Sequence, residues 1–330
     1  MHKTDLRIVF TGTPEFAVET LKALVENDYN VVAVVTQPDK PVGRHQTEMQ
    51  PSQVKQYAVA HGLPVLQPEK MKDPVFIEQL RSYHANLQVV VAFRMLPEVV
   101  WAMPEYGTFN VHAALLPQYR GAAPINWAVI NGETQTGVTT FFLDHDIDTG
   151  RIILKKTFDI PDEADVEYVY DGLMHLGAQI CLETLEAIIA ANGHPATIAQ
   201  EELSTINSPL SISETLKLAP KIYKETCEID WKKTAKQVYD FVRGLSPYPG
   251  AWTTLVAPDG KETVLKIYKT RKTGKPGKGI GTIGIDGKAL CVSAADEQLE
   301  IVELQLAGKK RMMTRDFLNG MKQIEDYRVK

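Results

Sequence analysis

Along the first half of the chain, short unbroken apolar runs alternate with stretches in which apolar residues return every three or four positions. The runs Leu6 to Thr11, Val31 to Thr36, Leu87 to Ala92 and Gly107 to His112 read as strands, several too uniformly apolar for a sheet with one wet face. Between them, Glu15 to Asn27, Ser52 to His61 and Pro74 to His84 carry the helical period. Strands alternating with helices predict βαβ units and a Rossmann-like α/β fold, a mainly parallel sheet flanked by helices. Val138 to Leu143 and Ile152 to Phe158 add later strands. A helix from about Asp165 to Ala191 sets Val166, Val169, Leu173, Leu176, Ile180 and Ile188 on one stripe.

The pattern changes at Asn192. A polar, Ser/Thr-rich stretch runs to about Pro209 and reads as a linker. Beyond it come a short helix, Thr234 to Gly244, and short strands separated by Asp259-Gly260, Asp286-Gly287 and Gly308, which are hairpin signals. Together they predict a small OB-like β-barrel. The expected domains are therefore 1–191 and 209–330, joined by a linker over 192–208.

Charge sharpens this division. Residues 207–330 hold 22 Lys and Arg against 15 Asp and Glu, whereas residues 1–206 hold 14 against 26. An acidic half joined to a basic half fits a catalytic domain tethered to a module that meets a polyanion. The alternative is an uneven solvated surface with no partner. The 44% hydrophobic content is that of an ordinary globular protein. No apolar run reaches the length of a membrane span, and the N-terminus leads straight into the strand-like Ile8-Val9-Phe10. Cys181, Cys227 and Cys291 are widely spaced and odd in number. Reduced thiols and a cytoplasmic location are expected, with neither a disulfide framework nor a metal site.

Gly12 follows the first strand without the further glycines of a dinucleotide fingerprint or the Lys of a phosphate loop, so a tight strand-to-helix turn is the expected role. The run Asp144-x-Asp146-x-Asp148 resembles a calcium loop. Its sixth and twelfth positions, however, are Thr149 and Lys155 in place of Gly and Glu. Asp148 remains as a carboxylate on a loop that Gly150 lets double back. Asn110 and His112, two apart on a strand, leave the same face, and the carboxyl edge of a parallel sheet opens into a ligand crevice. His112 alone would read better as a satisfied structural histidine. With Asn110 beside it and the Leu115-Leu116-Pro117 wall next to it, a site becomes the better reading.

Several segments carry a resemblance. They are Thr11-Gly-Thr-Pro-Glu-Phe-Ala17, Thr36-Gln-Pro-Asp39, Asn110-Val-His-Ala-Ala-Leu-Leu-Pro117, Arg120-Gly-Ala-Ala-Pro124 and Asp148-Thr-Gly150. Ile229-Asp-Trp231 and Arg243-Gly-Leu-Ser-Pro-Tyr-Pro-Gly-Ala-Trp252 continue it. In this order they resemble the methionyl-tRNA formyltransferases, within the folate-dependent formyltransferase family, from about Leu6 to Gly320. The resemblance implies Asn110, His112 and Asp148 as the catalytic set and 10-formyltetrahydrofolate as donor. It implies a folate pocket lined by Phe93, Arg94, Met95, Leu96, Ala114, Leu115, Leu116, Pro117 and the loop holding Asp144. Two positions depart from the family pattern: Ala114 stands where Ser is usual, and Arg94 where Gly is usual, as in relatives that formylate glycinamide ribonucleotide.

The implied acceptor is the α-amino group of methionine on initiator tRNA, neutral near pH 7 because a free α-amino group titrates at about 7.7–8.0 and the ester lowers it further. Asn110 and a protonated His112 would donate to the formyl oxygen as charge develops there, with Asp148 keeping the ring charged and taking up the ammonium proton. Lys269, Arg271 and Lys272, among Lys266 to Lys278 and Lys309 to Arg311, would grip phosphates, and Lys40 and Arg44 would reach the acceptor end. A monomer is expected. Rival readings are a formyltransferase for a small nucleotide amine, a hydrolase of the same donor, and a non-enzymatic RNA-binding protein.

Overall fold

The computed structural model describes residues 1–42, 48–202, 216–321 and 323–330. The chain forms two compact units that do not run as two consecutive segments. The first comprises Met1–Gly121, Thr136–Phe158 and Tyr170–Leu218; the second comprises Ala122–Gln135, Asp159–Val169 and Ala219–Lys330. The stretch expected as a linker, 192–208, falls in the first unit, and the part from 203 on lies outside the described residues.

In the first unit the expected strands form β1 (Ile8–Gly12), β2 (Val31–Val35), β3 (Val65–Leu66), β4 (Leu87–Val91), β5 (Thr108–His112), β6 (Gln135–Phe142) and β7 (Ile152–Asp159). The sheet order is β3-β2-β1-β4-β5-β6-β7, parallel from β3 through β5, with β6 antiparallel to β5. β1 and β4 are buried at every position, as their uniform apolarity predicts. The chain leaves β1 on one side for β2 and β3 and returns on the other to β4. The carboxyl ends of β1 and β4 therefore flank the crevice where open α/β sheets hold ligands. Gly12 ends β1 because a Cβ there would stand 2.7 Å from the Ala17 Cβ and 3.0 Å from the Val91 carbonyl oxygen.

The helix Val166–Ala190 is long and apolar enough to cross a membrane by length and composition. Its Leu173, Ile180, Leu185 and Ile188 are fully buried, and Gly177 lets it approach Val111 of β5. That packing explains its apolarity. The three cysteines are buried and unpaired, and burial pushes the Cys181 thiol far up from its ordinary range.

The second unit holds a curled antiparallel sheet of β8 (Ala251–Val256), β9 (Glu262–Pro276), β10 (Ile283–Asp286), β11 (Ala289–Ser293), β12 (Glu297–Leu306), β13 (Met312–Met313) and β14 (Arg328–Val329). The main path is β10-β11-β12-β9-β8-β14, and a single bridge between Thr282 and Arg328 joins its two edges. Closing a sheet on itself removes exposed edges. The three hairpin signals sit where expected: Gly260, Gly287 and Gly308 have φ of 85°, 63° and 77°.

The helix Ala235–Gly244 crosses this core, capped by Thr234, which accepts from the Gln237 N–H while Gln237 returns a bond to the Thr234 N–H. Against it lies Pro124–Ile130, a helix from the first half of the chain: Asn126 Nδ2 donates to the Gly244 carbonyl at 2.9 Å, and a Cβ on Gly244 would meet Ile130 at 2.6 Å. Asp240 and Arg243 form a buried pair at 2.8 Å, and Arg243 Nη1 also donates to the Ala164 carbonyl. Removing one member strands a buried charge, which costs about 3–5 kcal/mol. Asp240→Ala is expected to destabilise the second unit by that amount in urea unfolding followed by tryptophan fluorescence. Replacing both residues with apolar side chains should recover most of the loss.

Candidate active site

β5 delivers two side chains to one face at the sheet rim. Its register pairs Asn110 with Phe141 and His112 with Thr139 of β6, so the residue between them, Val111, faces away towards the helix Val166–Ala190. His112 is 6% exposed. Its Nε2 lies 3.0 Å from the Tyr119 carbonyl oxygen, which can only accept, so this nitrogen carries a proton. Nδ1 is left facing Asp148 Oδ2 at 3.9 Å, too long for a hydrogen bond. The ring stands edge-on to Phe141, with centroids 6.3 Å apart. Asn110 Oδ1 is buried and has no hydrogen-bond partner, the condition of a group that awaits one.

Asp148 comes from the loop after β6. Its Oδ2 accepts the Gly121 N–H at 2.9 Å, tying this loop to the one after β5. The residue in the left-handed region is Asp148 itself, with φ 56°. Gly150 lets this loop come back against the end of β6: a Cβ there would stand 1.7 Å from the Phe142 carbonyl oxygen, so it is glycine for close approach. Asp144 accepts from the Asp146 N–H and from Thr149 Oγ1, and its carboxylate thereby closes its own loop.

The turn from His112 to Gly121 is braced from β6 and β7. Thr139 Oγ1 accepts from Leu116 N at 3.1 Å and donates to the Ala114 carbonyl at 2.7 Å. Lys155 Nζ donates to the Leu116 carbonyl at 2.7 Å, and burial lowers its pKa from the ordinary lysine value. The Leu116–Pro117 peptide is cis. Leu116 packs with Phe141 and Ile152, and Ala114 is fully buried.

The residues expected around a folate separate into groups. Leu96 is buried in the core with Val9 and Val90, whereas Met95 is 68% exposed. Met95 lines a cavity of about 730 Å³ with Lys70, Met71, Lys72 and Pro97, within the size range of ligand pockets. Arg94 donates to the Pro68 and Glu69 carbonyls at 2.5 and 2.9 Å, and its guanidinium lies against the neighbouring Phe93 ring. Its terminal nitrogens thus brace the loop after β3.

Of the residues expected to meet RNA, Lys40 opens a short exposed ribbon, Lys40–Val42 paired with Glu48–Gln50, and Arg44 lies outside the described residues. Lys269, Arg271 and Lys272 are exposed on β9. Arg271 pairs with Glu300 at 2.8 Å, and Lys272 with Asp162 at 2.5 Å, which raises the lysine pKa and lowers the carboxyl. Lys275 pairs with Asp286 and Arg311 with Glu303. Among the described residues, no group of three or more His, Cys, Asp and Glu is arranged to hold a metal ion.

One residue absent from the sequence reading joins the site. Gln200, 1% exposed, donates from Nε2 to the Asp148 and Gly150 carbonyls, each at 2.9 Å. Its Oε1 accepts from Arg120 Nε and Nη2 at 3.0 and 2.6 Å. Gly150→Ala is expected to cost about 1–3 kcal/mol, the usual range for overpacking. Chemical denaturation should show that loss, and hydrogen exchange should quicken across 144–150.

Comparison with known proteins matches residues 6–185 to the family described as formyl transferase, and residues 221–322 to its C-terminal domain. A Parabacteroides distasonis protein named methionyl-tRNA formyltransferase is 58% identical over 333 residues, spanning the whole of both chains. A Bacteroides fragilis protein of the same name is 54% identical over 332 residues, covering all of this chain and 99% of its own. Among solved structures, HypX from Aquifex aeolicus in complex with tetrahydrofolic acid shares the fold. Its TM-score is 0.61 at 18% identity, over 96% of this chain and 47% of that one.

Proposed function

The chain belongs to the formyl transferase family, and we propose that it moves the formyl group of 10-formyltetrahydrofolate onto the α-amino group of methionine on initiator tRNA. The observation that carries this is the rim cluster: a buried Asn110 Oδ1 without a hydrogen-bond partner, and a His112 Nδ1 set 3.9 Å from the Asp148 carboxylate with no hydrogen bond between them. Full-length similarity to proteins that bear this acceptor in their name supports the choice of tRNA. The small-nucleotide alternative drew on Arg94. Its terminal nitrogens hold backbone carbonyls, so they lend that reading little.

Because Tyr119 occupies Nε2, the ring offers the substrate Nδ1. It donates from there only as the imidazolium, whose charge Asp148 is placed to balance. The neutral amine attacks the formyl carbon, and negative charge builds on the formyl oxygen. Asn110 Nδ2 and His112 Nδ1 stabilise that oxygen in a site shielded from water. Asn110 Oδ1 is free to accept an N–H of the incoming amine. The ammonium proton passes to Asp148, directly or through water, and from there to the folate nitrogen. Tetrahydrofolate thus leaves neutral as its C–N bond breaks and the formyl C=O re-forms. The folate donor belongs with Phe93 to Met95 and the turn Ala114 to Pro117, next to Asp144, while the side chains of Leu96, Ala114 and Leu116 back that surface from the core. No metal enters these steps.

Losing one oxyanion donor costs about 10²–10³ in turnover. Asn110→Ala and His112→Ala are each expected to lower kcat by that factor in formylation of charged initiator tRNA, while tRNA affinity stays near wild type. Near-normal turnover in either variant would remove that residue from the mechanism.

The exposed cations of β9 would supply phosphate contacts, and Lys40 on its exposed ribbon a further one. Arg271 and Lys272 already hold carboxylates, so each must exchange one anion for another, whereas Lys269 is the better electrostatic contact. Lys269→Ala should weaken tRNA binding and reduce the salt slope, d log K/d log[salt], by about 1. Filter binding between low and moderate salt measures both, and affinity indifferent to salt would refute this role.

A further inference from the structure

Gln200 stands in a polar stretch with no signature of its own, yet its side chain is among the best-buried polar groups of the first unit, at 1% exposure. Three separate segments meet on it. Arg120 comes from the loop after β5, Asp148 and Gly150 from the loop after β6, and Gln200 from a segment docked beside β7. That docking consists of mutual backbone hydrogen bonds of 2.9 Å between Ile152 and Ile198, and of Arg151 donating to Thr197. The amide has one allowed orientation, because two carbonyl oxygens can take only its NH₂ and a guanidinium can take only its oxygen.

What this amide holds is the unusual backbone of the site. Asp148 sits at φ 56°, a conformation that costs a non-glycine residue and persists only where its surroundings impose it. Gln200 binds the carbonyl of Asp148 itself and that of Gly150, so it grips the chain on both sides of Thr149. Through Arg120 it also grips the residue next to Gly121, whose N–H fixes Asp148 Oδ2. The backbone that carries the Asp148 side chain is thus held by this amide directly, and the Gly121 N–H that fixes its carboxylate adjoins the arginine the same amide holds.

We propose that Gln200 is a positioning residue for formyl transfer, setting the Asp148 carboxylate opposite His112 Nδ1. This rests on the reading of Asp148 given above. A misplacement of about 1 Å at a reacting group costs on the order of 10²-fold in rate. Gln200→Met, of similar length and without polar atoms, is therefore expected to lower kcat by about 10²-fold with KM for donor and acceptor unchanged.

Two further readouts separate positioning from general support of the fold. If Gln200 acts through Asp148, adding Gln200→Met to Asp148→Asn brings no further loss, whereas losses that multiply overturn the proposal. The Gly121 amide, whose acceptor is Asp148, should exchange with deuterium faster in Gln200→Met, and a wild-type exchange rate overturns it as well. Should that variant not fold, Gln200→Glu keeps the shape and the Arg120 contact but turns an oxygen on the two carbonyls. It is then read by the same two measurements. Full turnover in Asp148→Asn would sink the catalytic reading of Asp148, and the Gly121 exchange rate would still decide the role of Gln200.

Discussion

A single hydrogen bond, from His112 Nε2 to the Tyr119 carbonyl, decides what the rest of the first unit's rim is for. It fixes the ring's rotation, settles which nitrogen carries the permanent proton, and turns the other nitrogen towards Asp148. Without it the imidazole would be one more buried side chain against Phe141. With it, the long turn after β5 has to place a carbonyl at one particular spot. That requirement accounts for the bracing of the same turn by Thr139 and Lys155, and for Tyr119 at φ 62°. The polar groups that hold the turn are side chains on the neighbouring strands, so the site's geometry inherits the stiffness of the sheet.

Much of this was legible in the chain because it follows from period and geometry. Uniform apolar runs marked strands buried on both faces, and β1 and β4 are such strands. The spacing of Asn110 and His112 put them on one face of one strand. The hairpin glycines were readable because each occupies a backbone region that disfavours other residues. Gly150 was readable as the glycine that lets its loop double back, but its close neighbour, the Phe142 carbonyl, was not, since close approach leaves no trace in local sequence. Gln200 was not legible at all. Its partners are backbone groups about fifty positions away and the Arg120 guanidinium 80 away, and a polar residue in a polar stretch reads as solvent-facing.

Charge was legible only as a sum. Counting residues shows a basic second half, but not that β9 lies beside carboxylates on β12 and elsewhere in its own unit. Arg271, Lys272, Lys275 and Arg311 each face an acid. Exposed pairs of this kind are weak, and salt weakens them further. The surface therefore has less unpaired positive charge than its composition implies.

The helix Pro124–Ile130 has a bearing on how such proteins change over time. It follows directly on Arg120 and Gly121 in the chain, yet it packs on Gly244 as part of the second core. A genetic crossover between the two halves would splice a foreign helix against a glycine surface shaped for Ile130 and Asn126. The second core is in that sense incomplete without a segment that the chain supplies about a hundred residues earlier.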